Sequence, residues 1–188
     1  MTEAQLDQYV KDFIQDYKIE GCTKLCLDKS SLMEAIEAAI LSEDNNEKVD
    51  SHQRRVGRTK LKLYSNKLIG EKYSEIEGCR SFDELYAIIK SCHMAGIGEL
   101  TTYDIAVRIA NYLNGNLGNS NIMPDKVYLH TGAWVGAKKL LGTNRRLKRI
   151  MPRSSFPPPL RDSKLDCDEI ESFLCVMKDV LEPYAGHW

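Results

Sequence analysis

The sequence predicts an all-α protein, and three observations carry that prediction. Apolar side chains recur at helical spacing in segment after segment. No series of alternating apolar and polar residues marks out strands. Residues 1–123 contain no proline, so the helical pattern runs without that interruption until Pro124. The chain has 188 residues, which fits one helical domain, with room for two lobes. A hydrophobic content of 43% against 28% charged residues is that of an ordinary soluble protein with a core to bury.

The elements follow in order. Residues 2–18 read as an amphipathic helix on Leu6, Tyr9, Val10, Phe13, Ile14 and Tyr17, ended by Gly21. Ser30 or Ser31 caps a second helix, with Met33, Ile36, Ala39 and Ile40 on its inner side. Residues 43–50, EDNNEKVD, are a polar loop. A third helix runs from Ser51 to Tyr73, broken near Gly57, with Val56, Leu63, Tyr64 and Leu68 as its apolar side. Ser81 with Glu84 forms a capping box for the next helix, whose stripe is Phe82, Leu85, Ile88, Ile89 and Cys92. Another stripe follows at Ile105, Ala106, Ile109, Ala110 and Leu113. Residues 114–121 are turn-rich, and Val127–His130 is either a short extended piece or the lead-in to a helix. Thr131 is a candidate cap for that helix, with Val135, Leu140 and Leu141 facing inward. Pro152 and Pro157–Pro159 mark an irregular crossing. A last helix spans Asp166–Leu181 on Ile170, Phe173, Leu174, Met177 and Leu181.

Charge is distributed unevenly. Residues 1–50 carry 5 basic and 12 acidic side chains, residues 51–153 carry 18 and 8, and residues 154–188 carry 3 and 7. The net charges are −7, +10 and −4, so a basic middle lies between acidic flanks and points to an anionic partner. Of these basic residues, 13 fall in two clusters, each without an acid inside it. One holds Arg54, Arg55, Arg58, Lys60, Lys62 and Lys67; the other holds Lys138, Lys139, Arg145, Arg146, Lys148, Arg149 and Arg153. The six cysteines contain no C-x-x-C and do not combine with histidines at zinc spacing, so no metal or other cofactor is expected. Cys22–Cys26 is the closest pair, and reduced, buried thiols fit a cytosolic protein. No apolar run approaches a membrane span and no signal peptide is read, so a cytoplasmic location and no membrane partner are expected.

The stretch Gly96–Leu113, GIGELTTYDIAVRIANYL, organises the rest. Two glycines one residue apart form a corner between two helices, the pattern of residues 81–113 being helix, hairpin, helix. Free amides at the start of the second helix, with its dipole, suit a phosphate. Gly96, Ile97, Gly98 and Thr101 are the expected contacts, flanked by Arg54, Arg55, Arg58, Lys60, Lys138, Lys139, Arg145 and Arg146.

Three features stand in order: residues 38–56 with Ile40–Ser42, the helix–GIGELT–helix of 81–113, and VYLHTGAWVGAKKLLG at 127–142. This order resembles the helix-hairpin-helix superfamily of base-excision DNA glycosylases, of the endonuclease III-like fold, over roughly residues 32–181. Gly96, Gly98 and Thr101 match the family hairpin, and Val127, His130 and Leu140 match the later element. The resemblance implies a helical glycosylase-like bundle that binds duplex DNA, including damaged DNA. The family's nucleophilic lysine matches Leu100 and its catalytic aspartate matches Tyr128, so neither group is present in its usual form. Only Cys167 and Cys175 lie near the C-terminus, so the four-cysteine iron–sulfur site of some members is absent.

Relocated catalytic groups would be sought at Tyr128, His130, Glu99 and Asp104. His130 can orient a catalytic group or pair with Tyr128, and structural roles compete for each: capping for Glu99 and Asp104, packing or a structural hydrogen bond for His130. Trp134 can stack on a base or pack in the core, and His52–Arg55 can probe a flipped nucleotide or form a solvated helix start. Three functions follow. The first is backbone-directed DNA binding without glycosylase or lyase chemistry, in the manner of a repair protein that recognises damage. The second is a glycosylase or other nucleic-acid enzyme with relocated groups. The third is a helical adaptor for an acidic protein or RNA.

Overall fold

The computed structural model describes residues 1–16, 21–43, 48–116, 122–142 and 146–186; for Cys22, Ser51 and His52 it describes the backbone alone. In chain order the helices are α1 (Glu3–Asp16), α2 (Gly21–Leu27), α3 (Leu32–Leu41), α4 (Ser51–Arg54), α5 (Arg58–Gly78), α6 (Phe82–Ser91) and α7 (Glu99–Asn116). Strand β1 (Lys126–Tyr128), helix α8 (Thr131–Leu141), strand β2 (Ile150–Pro152), and helices α9 (Pro158–Arg161) and α10 (Cys167–Val176) complete the list. The protein is mostly helical, as the periodicity predicts, with a two-stranded antiparallel ribbon in which Val127 faces Met151. Among the described residues no helix is long and apolar enough to cross a membrane. The chain divides into two compact units: a central unit, Ile19–Met123, and a terminal unit, Met1–Lys18 with Pro124–Trp188. All six prolines belong to the terminal unit.

In the central unit, α3 packs on α2, α5 and α7, and α6 packs on α5 and α7. Ile36, Ile40, Leu61, Leu68, Leu85, Ile89, Ile105 and Ile109 are fully buried, each contributing about 1.5–3 kcal/mol relative to exposure. Ser31 caps α3 by accepting from the Glu34 amide, and Ser81 caps α6 by accepting from the Glu84 amide at 3.2 Å. The Glu84 carboxylate reaches one residue further back than a capping box requires, accepting from the Arg80 amide at 2.7 Å. Gly57, at φ +87°, breaks α4 from α5 where a break is expected, and α5 then runs on to Gly78.

Several expectations need correction. Gly21 opens α2 rather than closing the first helix, and α1 is described to Asp16. Met33 and Leu63 are more than half exposed, because the inner faces of α3 and α5 are narrower than their apolar content. The loop expected at residues 114–121 begins later, since α7 continues to Asn116; residues 117–121 lie outside the described residues, as do residues 44–47 of the acidic loop.

The terminal unit is built on α8 against α10, with the ribbon beside α10 and α1 against α9. Leu6, Val10 and Phe13 join Val127, Leu140, Phe156, Leu160, Phe173 and Leu174 in one core, and Phe13 meets Phe173 edge to face at 5.4 Å. The Met1 ammonium donates to the Pro183 carbonyl (2.7 Å), and the Ala185 amide donates to that of Met1 (3.0 Å). Ile14 and Val135 are exposed at about the 40% level, outside the stripes assigned to them. His130 rather than Thr131 occupies the cap position of α8, and Thr131 is the first helical residue. The last helix is shorter than 166–181: α10 ends at Val176 and a 3-10 turn, Met177–Asp179, follows. Asp166 and Glu169 form a true capping box at its start. In the same turn one carboxylate oxygen of Asp168 is buried without a hydrogen bond, and burial pushes its pKa to about 7.

Candidate nucleic-acid interface

The hairpin of the central unit is built by short-range rules. Helix α6 ends at Cys92, whose amide donates to the Ile89 carbonyl at 3.2 Å and whose thiol is buried, with its pKa raised by that burial. The Ile97 amide then donates to the Met94 carbonyl at 3.0 Å, closing a four-residue turn. Gly96 is the third residue of that turn, with φ +91°. A type II turn requires positive φ there, and glycine adopts it without a steric penalty. Gly98 stands immediately before α7, and its carbonyl accepts from both the amide and the hydroxyl of Thr102 at 2.9 Å. Having no side chain, Gly98 supplies no cap to the amides of Leu100 and Thr101. A Cβ added at Gly98 would meet nothing within 4 Å.

Helix α5 brings its cations to this corner. Lys60 lies across Gly96: a Cβ there would stand 2.8 Å from the Lys60 Nζ. Lys67 donates to the His93 carbonyl at 2.9 Å, tying the loop to the same helix. Glu99, the first residue of α7, pairs with Lys90 at 2.9 Å, and both side chains are largely exposed. That bond raises the Lys90 pKa and offsets the negative charge of Glu99 at the helix start. Thr101 is buried, so its amide rather than its hydroxyl is what it contributes at the helix start. Ile97 is half-buried.

The other expected basic contacts have varied surroundings. Arg58 is engaged by Glu43 at 2.9 Å, and Arg54 donates to the Val49 carbonyl at 3.3 Å. Arg55 and Lys62 are exposed. In the terminal unit the Arg149 guanidinium lies 4.3 Å from the Trp134 ring centroid and the Lys138 ammonium 5.5 Å, so the tryptophan face already carries cations. Arg153 is structural, donating to the carbonyls of Arg161 and Ser163. Lys139 is half-buried, Arg146 and Lys148 are exposed, and Arg145 lies outside the described residues.

The four catalytic candidates do not gather within either unit. Glu99 and Asp104 belong to the central unit, Tyr128 and His130 to the terminal one. Tyr128 is buried in β1, and its carbonyl accepts from the His130 amide at 3.2 Å. Leu100 is half-buried in the first turn of α7.

Two features escaped the sequence reading. Gln53 is fully buried, and its neighbours assign its amide orientation: the nitrogen donates to Asp50 Oδ1 and the oxygen accepts from Arg108 Nη1, each at 2.7 Å. Gln53 is therefore an internal bridge, not a probe of a flipped nucleotide. Arg108, also buried, reaches the Ala39 carbonyl near the end of α3. The signal was a lone charge inside the apolar stripe of α7. The second feature is a cavity of about 300 Å³ bounded by Tyr64, Ile89, Met94, Ile97, Lys90 and Glu99, among others. Among the described residues no group of three or more His, Cys, Asp or Glu is arranged to hold a metal ion. Comparison of the chain with known protein families, with curated proteins and with solved structures returns no match.

Proposed function

We propose that this protein binds DNA through the phosphate backbone, using the Gly96–Gly98 corner, and that it does so without glycosylase or lyase chemistry. The observation that carries the reading is Lys60 stationed across Gly96, beside a helix start whose cap position has no side chain. Backbone amides and an ammonium group at one corner are what a phosphate oxygen requires. Such contacts fix position without reading sequence. A leucine at position 100 provides no nucleophile, and Glu99 is held by Lys90, which favours binding over catalysis. A helix-hairpin-helix, glycosylase-like relationship fits this assignment.

The test is anisotropy or gel shift with matched and mismatched duplexes across a salt series. Binding is expected to weaken linearly in log–log form, with a slope near −0.9 per phosphate contacted and about six contacts at most. Absence of any complex at low salt contradicts the proposal. A screen for base release over damaged oligonucleotides is expected to be negative; release abolished by alanine at Tyr128, His130, Glu99 or Asp104 would establish the enzymatic reading instead.

A further inference from the structure

We infer that the outer face of α8, with the segment leading into β2, docks an acidic segment of another protein in which carboxylates flank apolar side chains. The surface belongs wholly to the terminal unit, so the inference does not depend on the corner of the central unit. The sequence supplies the charge: residues 126–161 hold nine Lys or Arg and no Asp or Glu. Helix α8 buries Ala133, Gly136, Ala137, Leu140 and Leu141. Its outward strip is Thr131, Trp134, Val135, Lys138 and Lys139, spaced as one face of a helix. Thr131, Val135 and Lys138 are exposed there, and Trp134 and Lys139 are half-buried.

The cations of this surface have no acid of their own. Among the described residues none of Lys138, Lys139, Arg146, Lys148 and Arg149 forms an ion pair. In the central unit, by contrast, Arg58 and Lys90 are each held by a glutamate. Arg149 is fixed without being neutralised: it donates to the Leu129 carbonyl at 3.1 Å and lies 4.3 Å from the Trp134 ring centroid. Lys138 lies 5.5 Å from the same centroid. Such a surface attracts carboxylates and phosphates alike, and two observations favour carboxylates on a protein. The Trp134 ring carries two cations where a nucleobase would stack. Val135 on the strip and Ile150, next to Arg149, are 40% and 45% exposed, and a phosphate backbone makes no use of them. Tryptophan and arginine are enriched where proteins meet proteins, whereas nucleic-acid interfaces are more polar. A helix with acids beside an apolar stripe, laid along α8, meets the cations and the apolar side chains together.

The experiment selects a display library of random peptides on the full chain, with counter-selection on the triple variant Lys138→Gln/Arg146→Gln/Lys148→Gln. All three side chains are exposed, so the Tm of the variant is expected within about 2 °C of wild type. Recovered peptides are expected to combine several Asp or Glu with at least one large apolar residue. By anisotropy, the tightest of them is expected to bind the triple variant about tenfold more weakly and Val135→Ser about threefold more weakly. Replacing its apolar residues by serine at unchanged charge is expected to weaken it about tenfold. Recovery of no peptide above the counter-selection, of peptides without acids, or of peptides whose binding follows charge alone overturns the inference. A triple variant whose duplex-DNA binding loses salt slope by about 0.9 per charge removed assigns the face to nucleic acid and overturns it as well.

Discussion

Two glycine pairs in this chain do opposite work. Gly132 and Gly136, four residues apart on α8, lie against α10: a Cβ at the first would collide with the Cys175 sulfur, and at the second with the Leu174 carbonyl. Gly96 and Gly98 lie at the start of α7, where Gly98 would meet nothing and Gly96 meets only the flexible end of Lys60. One pair removes side chains so that two helices can touch. The other leaves open space at Gly98 and, at Gly96, space that the end of the Lys60 side chain occupies. Packing explains the first pair completely, and it leaves the second pair needing a reason in turn geometry and in what lies outside the protein.

Substitution should separate the two. The largest effect is expected from Gly136→Ala, whose methyl has backbone rather than a movable side chain against it; a loss of roughly 1–3 kcal/mol is expected, seen as a Tm lower by several degrees. Gly98→Ala, whose methyl meets no protein atom, should cost only about 0.5–1 kcal/mol, because glycine is the better cap residue, and should weaken DNA binding by crowding the amides. Equal thermal losses at the two positions would erase the distinction. Gly96→Ala is intermediate: positive φ costs about 1–2 kcal/mol for an L-residue, and Lys60 must withdraw, so stability and affinity should both fall.

Lys60→Ala is expected to change stability by less than about 0.5 kcal/mol and to reduce the salt slope of DNA binding by about 0.9. An unchanged slope would remove Lys60 from the interface. Glu99→Gln should tighten binding slightly, with a stability change below about 1 kcal/mol because the Lys90–Glu99 pair is solvent-exposed.

The terminal unit offers a pH test independent of DNA. Burial raises the Asp168 pKa to about 7 from an ordinary 3.8. Between those values the native state binds the proton more readily than the unfolded state, so stability falls as pH rises from about 4 toward 7. Above 7 the destabilisation is complete, and below 4 the group contributes no further change. Asp168→Asn should flatten that part of the urea-midpoint profile; a profile as steep as wild type would assign the slope elsewhere.

The periodic helices were legible because their signals are local. The Ser31 and Ser81 caps, the break at Gly57 and the buried stripe of α7 all follow from spacing and capping chemistry within a few residues. What was not legible depends on partners distant in sequence. Leu63 and Val135 keep the helical spacing yet are exposed, and Gln53 resembles a surface residue until Arg108, on α7, makes it a bridge. The corner at Gly96 could be read from its glycines, whereas the Lys60 contact required the path of α5 across it. The cavity left no sequence signal, since its walls come from three helices and the loop between two of them.

The most direct measurement is a ¹H–¹⁵N NMR titration of the full chain with a short intact duplex at low salt. The amides of Gly96, Gly98, Leu100 and Thr101 are expected to shift together and saturate, and the same shifts are expected to vanish in Lys60→Glu. Saturable binding that leaves those four amides where they stand in the free protein would contradict binding at the corner.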